Sequence, residues 1–108
     1  MIGACQKVPK TNPNSTIIGH GGMGIAHTLP INTMESVLKC LNSGADGVEL
    51  DIQLSKDSSW VVFHDPDLSP STNLSGSIFD HHWRQLKGAY YMNPVYAQYA
   101  LVLSLIHI

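Results

Sequence analysis

Four side chains in this 108-residue chain stand where chemistry can be done: His20, Glu49, Asp51 and His64. Glu49 and Asp51 are separated by one residue in "GVELDIQL". On a strand that spacing projects both carboxylates the same way, about 6.5 to 7 Å apart, near enough to hold one hard cation. The plain alternative is a solvated strand face. There the two charges would repel without a cation, and the apolar residues around them argue against an exposed edge. Oxygen-only ligands favour Ca²⁺ or Mg²⁺. His20 and His64 each end an apolar run, "IIGH" and "WVVFH", and Gly21, Gly22 and Gly24 follow the first of them. Bulk is given up at that point, which lets backbone and ligand approach closely.

The elements that must carry these residues alternate in type. Ser15 to Gly19 is apolar and β-branched, which predicts a strand, and Gly21 to Pro30 is a loop punctuated by Gly and Pro. Asn32 with Glu35 three residues on predicts a capping box, and Met34, Val37, Leu38 and Leu41 recur at helical spacing until Gly44 ends the helix. Gly47 to Leu54 alternates with period two and predicts one strand carrying Glu49 and Asp51 on a single face. "SKDSS" makes a turn into a second strand that closes on His64, and a long loop leads to a helix expected over Asp80 to Lys87 with Asp80 as its cap. Cys40 falls on the helix as a small buried thiol. Trp60, Phe63 and Trp83 read as packing residues, and His81 and His82 as solvent-exposed. Strand, loop, helix, strand is the start of a parallel α/β architecture. In a β/α barrel the C-terminal ends of the strands converge on one mouth where chemistry is done, and both histidines sit at such ends.

Composition restricts the function classes. The chain is 44% hydrophobic and 13% charged, with a net charge of -2. No block of like charge suggests a nucleic-acid partner, and no apolar run approaches the roughly 18 residues of a membrane-spanning helix. "IGAC" before Gln6 resembles the lipobox of bacterial lipoproteins, with Cys5 as the lipid acceptor and "KVPKTNPNS" as a tether. An unstructured tail is the alternative reading. Residues 1–15 are therefore expected to form a lipoprotein-like tail and linker, which implies the bacterial periplasm or cell envelope and membrane contact only through the anchor. At the other end "LSLIHI", residues 103–108, resembles translated read-through of a transposon-end sequencing adapter. That leaves 16–102 as the folded part.

"IIGHGGMG", "PINTMES", "GADGVELDIQLSKD" and "VVFHD", in this order and spacing, resemble the glycerophosphodiester phosphodiesterases. The resemblance runs from about Thr16 to Lys87. It implies an N-terminal fragment of a TIM (β/α)8 barrel, and, in the full-length protein, metal-dependent hydrolysis of glycerophosphodiesters to an alcohol and glycerol phosphate. A fragment of this length is expected to be inactive. Carried over residue by residue, His20 and His64 match the family's general acid and base pair, and Glu49 and Asp51 match two of its metal ligands. A third acidic ligand is expected from a later strand. In the family the glycerol 2-hydroxyl is thought to attack first, giving a cyclic phosphate that water opens.

Two positions depart from the usual pattern. The arginine that normally follows the first histidine is Gly21, and the glutamate that normally precedes Asn-Thr is Ile31. They keep open a non-catalytic surface lipoprotein that binds through the same fold, and a related phosphoinositide or sphingomyelin phosphodiesterase stays open because such enzymes share paired histidines and a carboxylate-held cation.

Overall fold

In the computed structural model, residues 14–25, 28–69, 71–96 and 99 and the backbone of 102–103 are described. Strand β1, Ile18–His20, leads through a tight loop into helix α1, Met34–Asn42, and back into β2, Gly47–Glu49. The two strands pair in parallel, with Ile18 opposite Gly47 and His20 opposite Glu49. A helical crossover is what parallel pairing requires, so the expected α/β unit is present. Glycine makes the packing possible. A Cβ on Gly19 would collide with Sγ of the buried Cys40 on α1 and with the carbonyl of Gly22, so helix and strand approach as closely as backbone allows.

Helix α1 begins one residue later than its sequence suggests. Thr33 is the N-cap and accepts a hydrogen bond from the Ser36 amide, while its hydroxyl donates to the Pro30 carbonyl. Asn32 is not a cap. It is buried in a left-handed conformation, φ 63°, and its side chain is used elsewhere. The buried face of α1 is Ser36, Val37 and Cys40, whereas Met34, Leu38 and Leu41 of the expected apolar stripe are exposed. Those side chains, with Ile17 and with Ile18 of β1, form the surfaces that neighbouring strands and helices cover in a closed β/α barrel.

The single strand expected over Gly47 to Leu54 is two. β2 stops at Glu49, the chain turns at Leu50 and Asp51, and β3, Ile52–Leu54, joins a different sheet. There β3 pairs antiparallel with β4, Trp60–Val62, and β4 pairs antiparallel with β5, Val102–Leu103. The physical cause of the break is at Asp51, whose amide donates to Oδ1 of Asn32 at 3.1 Å and not to a strand neighbour. His64 lies just past β4.

The apolar core sits beneath that end of β4, where Val61, Phe63, Leu68, Ile78, Leu86 and Tyr91 pack together. Much of it comes from the segment after His64, which is therefore a packed structure and not a free loop. The helix expected over Asp80 to Lys87 is replaced by a 3₁₀ turn, Ile78–Asp80, and a short helix α2, Trp83–Leu86. Asp80 does not begin a helix. Its carboxylate reaches back to the Ser77 amide and hydroxyl and closes the 3₁₀ turn, and His82 caps α2. Phe63 is buried and Trp83 packs against the core, but Trp60, at the start of β4, is half-exposed. His81 is partly buried, its Nδ1 bonded to the Ser77 carbonyl, and His82 is exposed. Of the expected tail 1–15, all but residues 14 and 15 lie outside the described set. Of the adapter-like end only Leu103 is described, paired with Val61.

Candidate active site

His20 ends β1 directly opposite Glu49, and its Nδ1 lies 3.4 Å from Glu49 Oε2. The Gly21 amide donates to the Glu49 carbonyl at 2.9 Å and also faces Oε2 at 3.4 Å. The β1 end, the glycine turn and the carboxylate are thus one hydrogen-bonded unit. Both side chains are about half or more exposed, 62% for His20 and 47% for Glu49, so each is open to a ligand.

Asp51 is held from the α1 side. Asn32 Nδ2 donates to its Oδ2 at 3.0 Å while Asn32 Oδ1 accepts from its amide at 3.1 Å. Asn32 is itself fixed through its amide, which donates to the Gly21 carbonyl at 2.8 Å. This residue was read from sequence only as a helix cap. The signal that points further is its place just before Thr33: Thr33 caps the helix unaided, which frees Asn32 for the site.

His64 is the best-braced of the four. Its Nδ1 lies 2.7 Å from Asp65 Oδ1, and Asp65 Oδ2 accepts from the Ser71 hydroxyl at 3.2 Å. Gln53 Nε2 donates to the carbonyls of Phe63 and Asp65, at 2.8 and 2.9 Å, clamping the backbone on either side of the histidine. The Phe63 amide donates to the Asp51 carbonyl at 2.9 Å, which ties the His64 segment to the carboxylate segment. The His64 imidazole is pushed above its usual value, first by the Asp65 hydrogen bond and then by the negative charge of Asp51, Asp65 and Glu49. A raised value adds stability below the unfolded imidazole pKa, and this is lost as pH rises through the folded one. Asp65→Asn in the intact protein is expected to bring the His64 pKa down toward the ordinary imidazole range. Histidine NMR titration checks this, and an unchanged His64 curve would contradict the Asp65 contact.

Glu49 and Asp51 suit a hard cation in type, being carboxylates. Among the described residues no group of three or more metal-binding side chains forms.

The two departures from the usual pattern meet in space. A Cβ on Gly21 would lie 2.6 Å from the Cβ of Ile31, and Gly21 has φ +56°, a conformation that side chains rarely adopt. Ile31 in turn lines a cavity of about 320 Å³ that opens on His64 and Asp65. Tyr91 also lines it, a neutral phenol whose pKa is pushed up to about 12, mainly by burial.

A parallel strand-helix-strand unit with a histidine and a carboxylate facing each other at its strand ends is the repeating unit of a β/α barrel. The profile of the glycerophosphoryl diester phosphodiesterase family matches residues 22–101, and the chain belongs to that family. It is 44% identical over 64 residues to a glycerophosphodiester phosphodiesterase of Bacillus altitudinis, covering 59% of this chain and 26% of that protein. Among solved structures it is similar to an Oleispira antarctica phosphodiesterase in complex with the product sn-glycerol-3-phosphate. The TM-score there is 0.72 at 29% identity, covering 83% of this chain and 37% of the other. A glycerophosphodiester phosphodiesterase from Agrobacterium tumefaciens shares the fold with a TM-score of 0.74 at 24% identity, covering 83% of this chain and 39% of the other. The chain spans about a quarter of the length of the curated relatives it matches.

Proposed function

We propose that the intact protein hydrolyses glycerophosphodiesters to an alcohol and glycerol phosphate. The reading is supported by the contact of His20 with Glu49 at the ends of β1 and β2, and by the backbone hydrogen bond that ties the segment before His64 to Asp51. Breaking a phosphodiester needs a proton removed from the attacking hydroxyl and a proton delivered to the leaving oxygen. His20 and His64 can supply one of each. Asp65 fixes Nδ1 of His64 and raises its basicity, leaving Nε2 to face the substrate. Glu49 and Asp51 would hold a divalent cation, Ca²⁺ or Mg²⁺, whose charge lies over the phosphoryl oxygens when it is bound. Asn32 orients Asp51 for that task, and the Gly21 amide orients Glu49.

The metal part of the reading is tested by titrating the intact protein with Ca²⁺ and with Mg²⁺ in a calorimeter, comparing wild type with Glu49→Gln and Asp51→Asn. Affinity is expected to fall at least about tenfold in each variant, because a neutral amide cannot replace a carboxylate's charge at a hard cation. Equal affinity in all three proteins would remove the metal from the account. The reading also includes a lipid anchor at Cys5 and a place in the bacterial envelope, supported by the lipobox-like "IGAC". A glycerophosphodiester small enough for the strand-end site is the partner it calls for.

A further inference from the structure

The side chains of His64 and Asp65 are 53% and 44% exposed, so packing alone fixes neither of them. The torsion that turns an aspartate carboxylate is broad, and a half-exposed one samples many orientations unless something anchors it. Asp65 is anchored twice. Its carbonyl accepts from Gln53 Nε2 at 2.9 Å, and the carboxylate oxygen turned away from the histidine, Oδ2, accepts from the Ser71 hydroxyl at 3.2 Å. The remaining oxygen, Oδ1, is then held at 2.7 Å from Nδ1 of His64.

Ser71 can act as an anchor because its own backbone is fixed from a distant part of the chain. Its carbonyl accepts from the Met92 amide at 2.9 Å, the Asn73 amide donates to the Tyr90 carbonyl at 3.1 Å, and the Tyr90 amide donates to Asn73 Oδ1 at 2.8 Å. Between these bonds lies the buried Thr72, bridged to Tyr91, with its amide and hydroxyl both bonded to the Leu68 carbonyl at 2.8 and 3.0 Å. Leu68 and Tyr91 belong to the apolar core, so the serine is tied to that core on both sides.

We infer that Ser71 is a positioning residue for phosphodiester cleavage: through Asp65 its hydroxyl holds the His64 ring with Nδ1 as donor to the carboxylate and Nε2 turned to the substrate. The inference rests on the phosphodiesterase reading for the reaction that His64 serves. Which nitrogen of a neutral imidazole carries the proton is set by the hydrogen bond the ring makes. A ring whose carboxylate swings free also takes the form with its proton on Nε2, and in that form it cannot accept one there. Ser71 lines the same cavity as His64 and Asp65, so direct contact with substrate is the rival role for its hydroxyl.

The test compares the intact wild-type protein with Ser71→Ala, Ser71→Thr, Asp65→Ala and the double variant of Ser71→Ala with Asp65→Ala. Each serine variant keeps the backbone bonds that fix the segment, and thermal denaturation checks the fold. With the hexyl ester of glycerol phosphate, Ser71→Ala is expected to lower kcat about three- to tenfold, roughly the worth of one hydrogen bond, while KM stays level. Ser71→Thr retains a hydroxyl and should recover most of the loss. In the Asp65→Ala background, removing the serine hydroxyl should cost nothing further, since it has no carboxylate to act through. Nitrogen-15 NMR of the neutral His64 ring, without substrate, should show the Nδ1–H form in wild type and a mixture with the Nε2–H form in Ser71→Ala. A rise in KM at unchanged kcat would make the serine a substrate contact and overturn the inference. An equal loss of kcat with and without Asp65, or a ring unchanged in Ser71→Ala, would overturn it as well. If the folded wild-type protein cleaves no diester, the phosphodiesterase reading falls, and the ring spectrum alone decides whether Ser71 holds His64.

Discussion

Replacing His64 or His20 with alanine in the intact protein is expected to lower kcat for a glycerophosphodiester by about 10² to 10⁴, the usual contribution of one positioned acid or base. Neither change should unfold the protein. The side chains are 53% and 62% exposed and contribute no core packing, so their removal leaves no cavity. Thermal denaturation beside steady-state kinetics separates loss of chemistry from loss of fold. The His64 effect should also propagate outward. Asp65 and Gln53 act on this ring through its Nδ1 and its flanking carbonyls, and substituting them should reduce kcat by smaller factors. Near wild-type kcat in either alanine variant, with folded protein, would remove that histidine from proton transfer.

Gly21→Arg carries the second large effect, and its direction is the reverse of simple restoration. Supplying the arginine usual at this position would be expected to improve phosphate binding if the chain had merely lost it. Three features say otherwise. Gly21 has φ +56°, where a side chain costs about 1 to 3 kcal/mol. Its Cβ would stand 2.6 Å from that of Ile31, so one segment must move. Its amide and carbonyl hold Glu49 and Asn32, and through Asn32 they hold Asp51, so the movement reaches both carboxylates. Misplacing reacting groups by about 1 Å costs roughly a hundredfold, and kcat/KM should fall by about that much. The double variant Gly21→Arg with Ile31→Glu should be less impaired than Gly21→Arg alone, since glutamate can pair with the guanidinium and lacks the Cγ2 branch, while the Cβ contact is common to both variants. That non-additivity is read from a double-mutant cycle. A rise in kcat/KM for the single arginine variant, at unchanged stability, would mark the natural chain as a weakened member of its family.

Much of the site was legible because strands advertise their ends. The β-branched run before His20 and the apolar run before His64 are local patterns, and the structure ends β1 on His20 and places His64 just past β4. What the pattern concealed has tertiary causes. Period two continues unbroken from Gly47 to Leu54, yet Asp51 leaves the ladder to bond Asn32, and so one strand becomes two in different sheets. Asn32 looked like a cap because a cap and a site ligand draw on the same side-chain chemistry. Only its left-handed backbone and its two bonds to Asp51 distinguish them. Residues 65–77 looked like a loop because Leu68 and Leu74 follow neither period two nor 3.6, yet both pack with Ile78, Leu86 and Tyr91. They are brought together by turns and by the isolated bridge between Thr72 and Tyr91. The packing of Tyr91 against Tyr96 had no sequence signature for the same reason.

The central claim is that the strand-end site cleaves a glycerophosphodiester on the alcohol side of phosphorus. Phosphorus NMR of the intact protein incubated with the hexyl ester of glycerol phosphate, with Ca²⁺ or Mg²⁺ present, tests it most directly. The account predicts that the diester resonance gives way to glycerol phosphate, with hexanol released in equal amount, and that His64→Ala protein leaves the diester in place. Persistence of the diester with folded wild-type protein and either cation, or its conversion to hexyl phosphate and glycerol, would contradict the account.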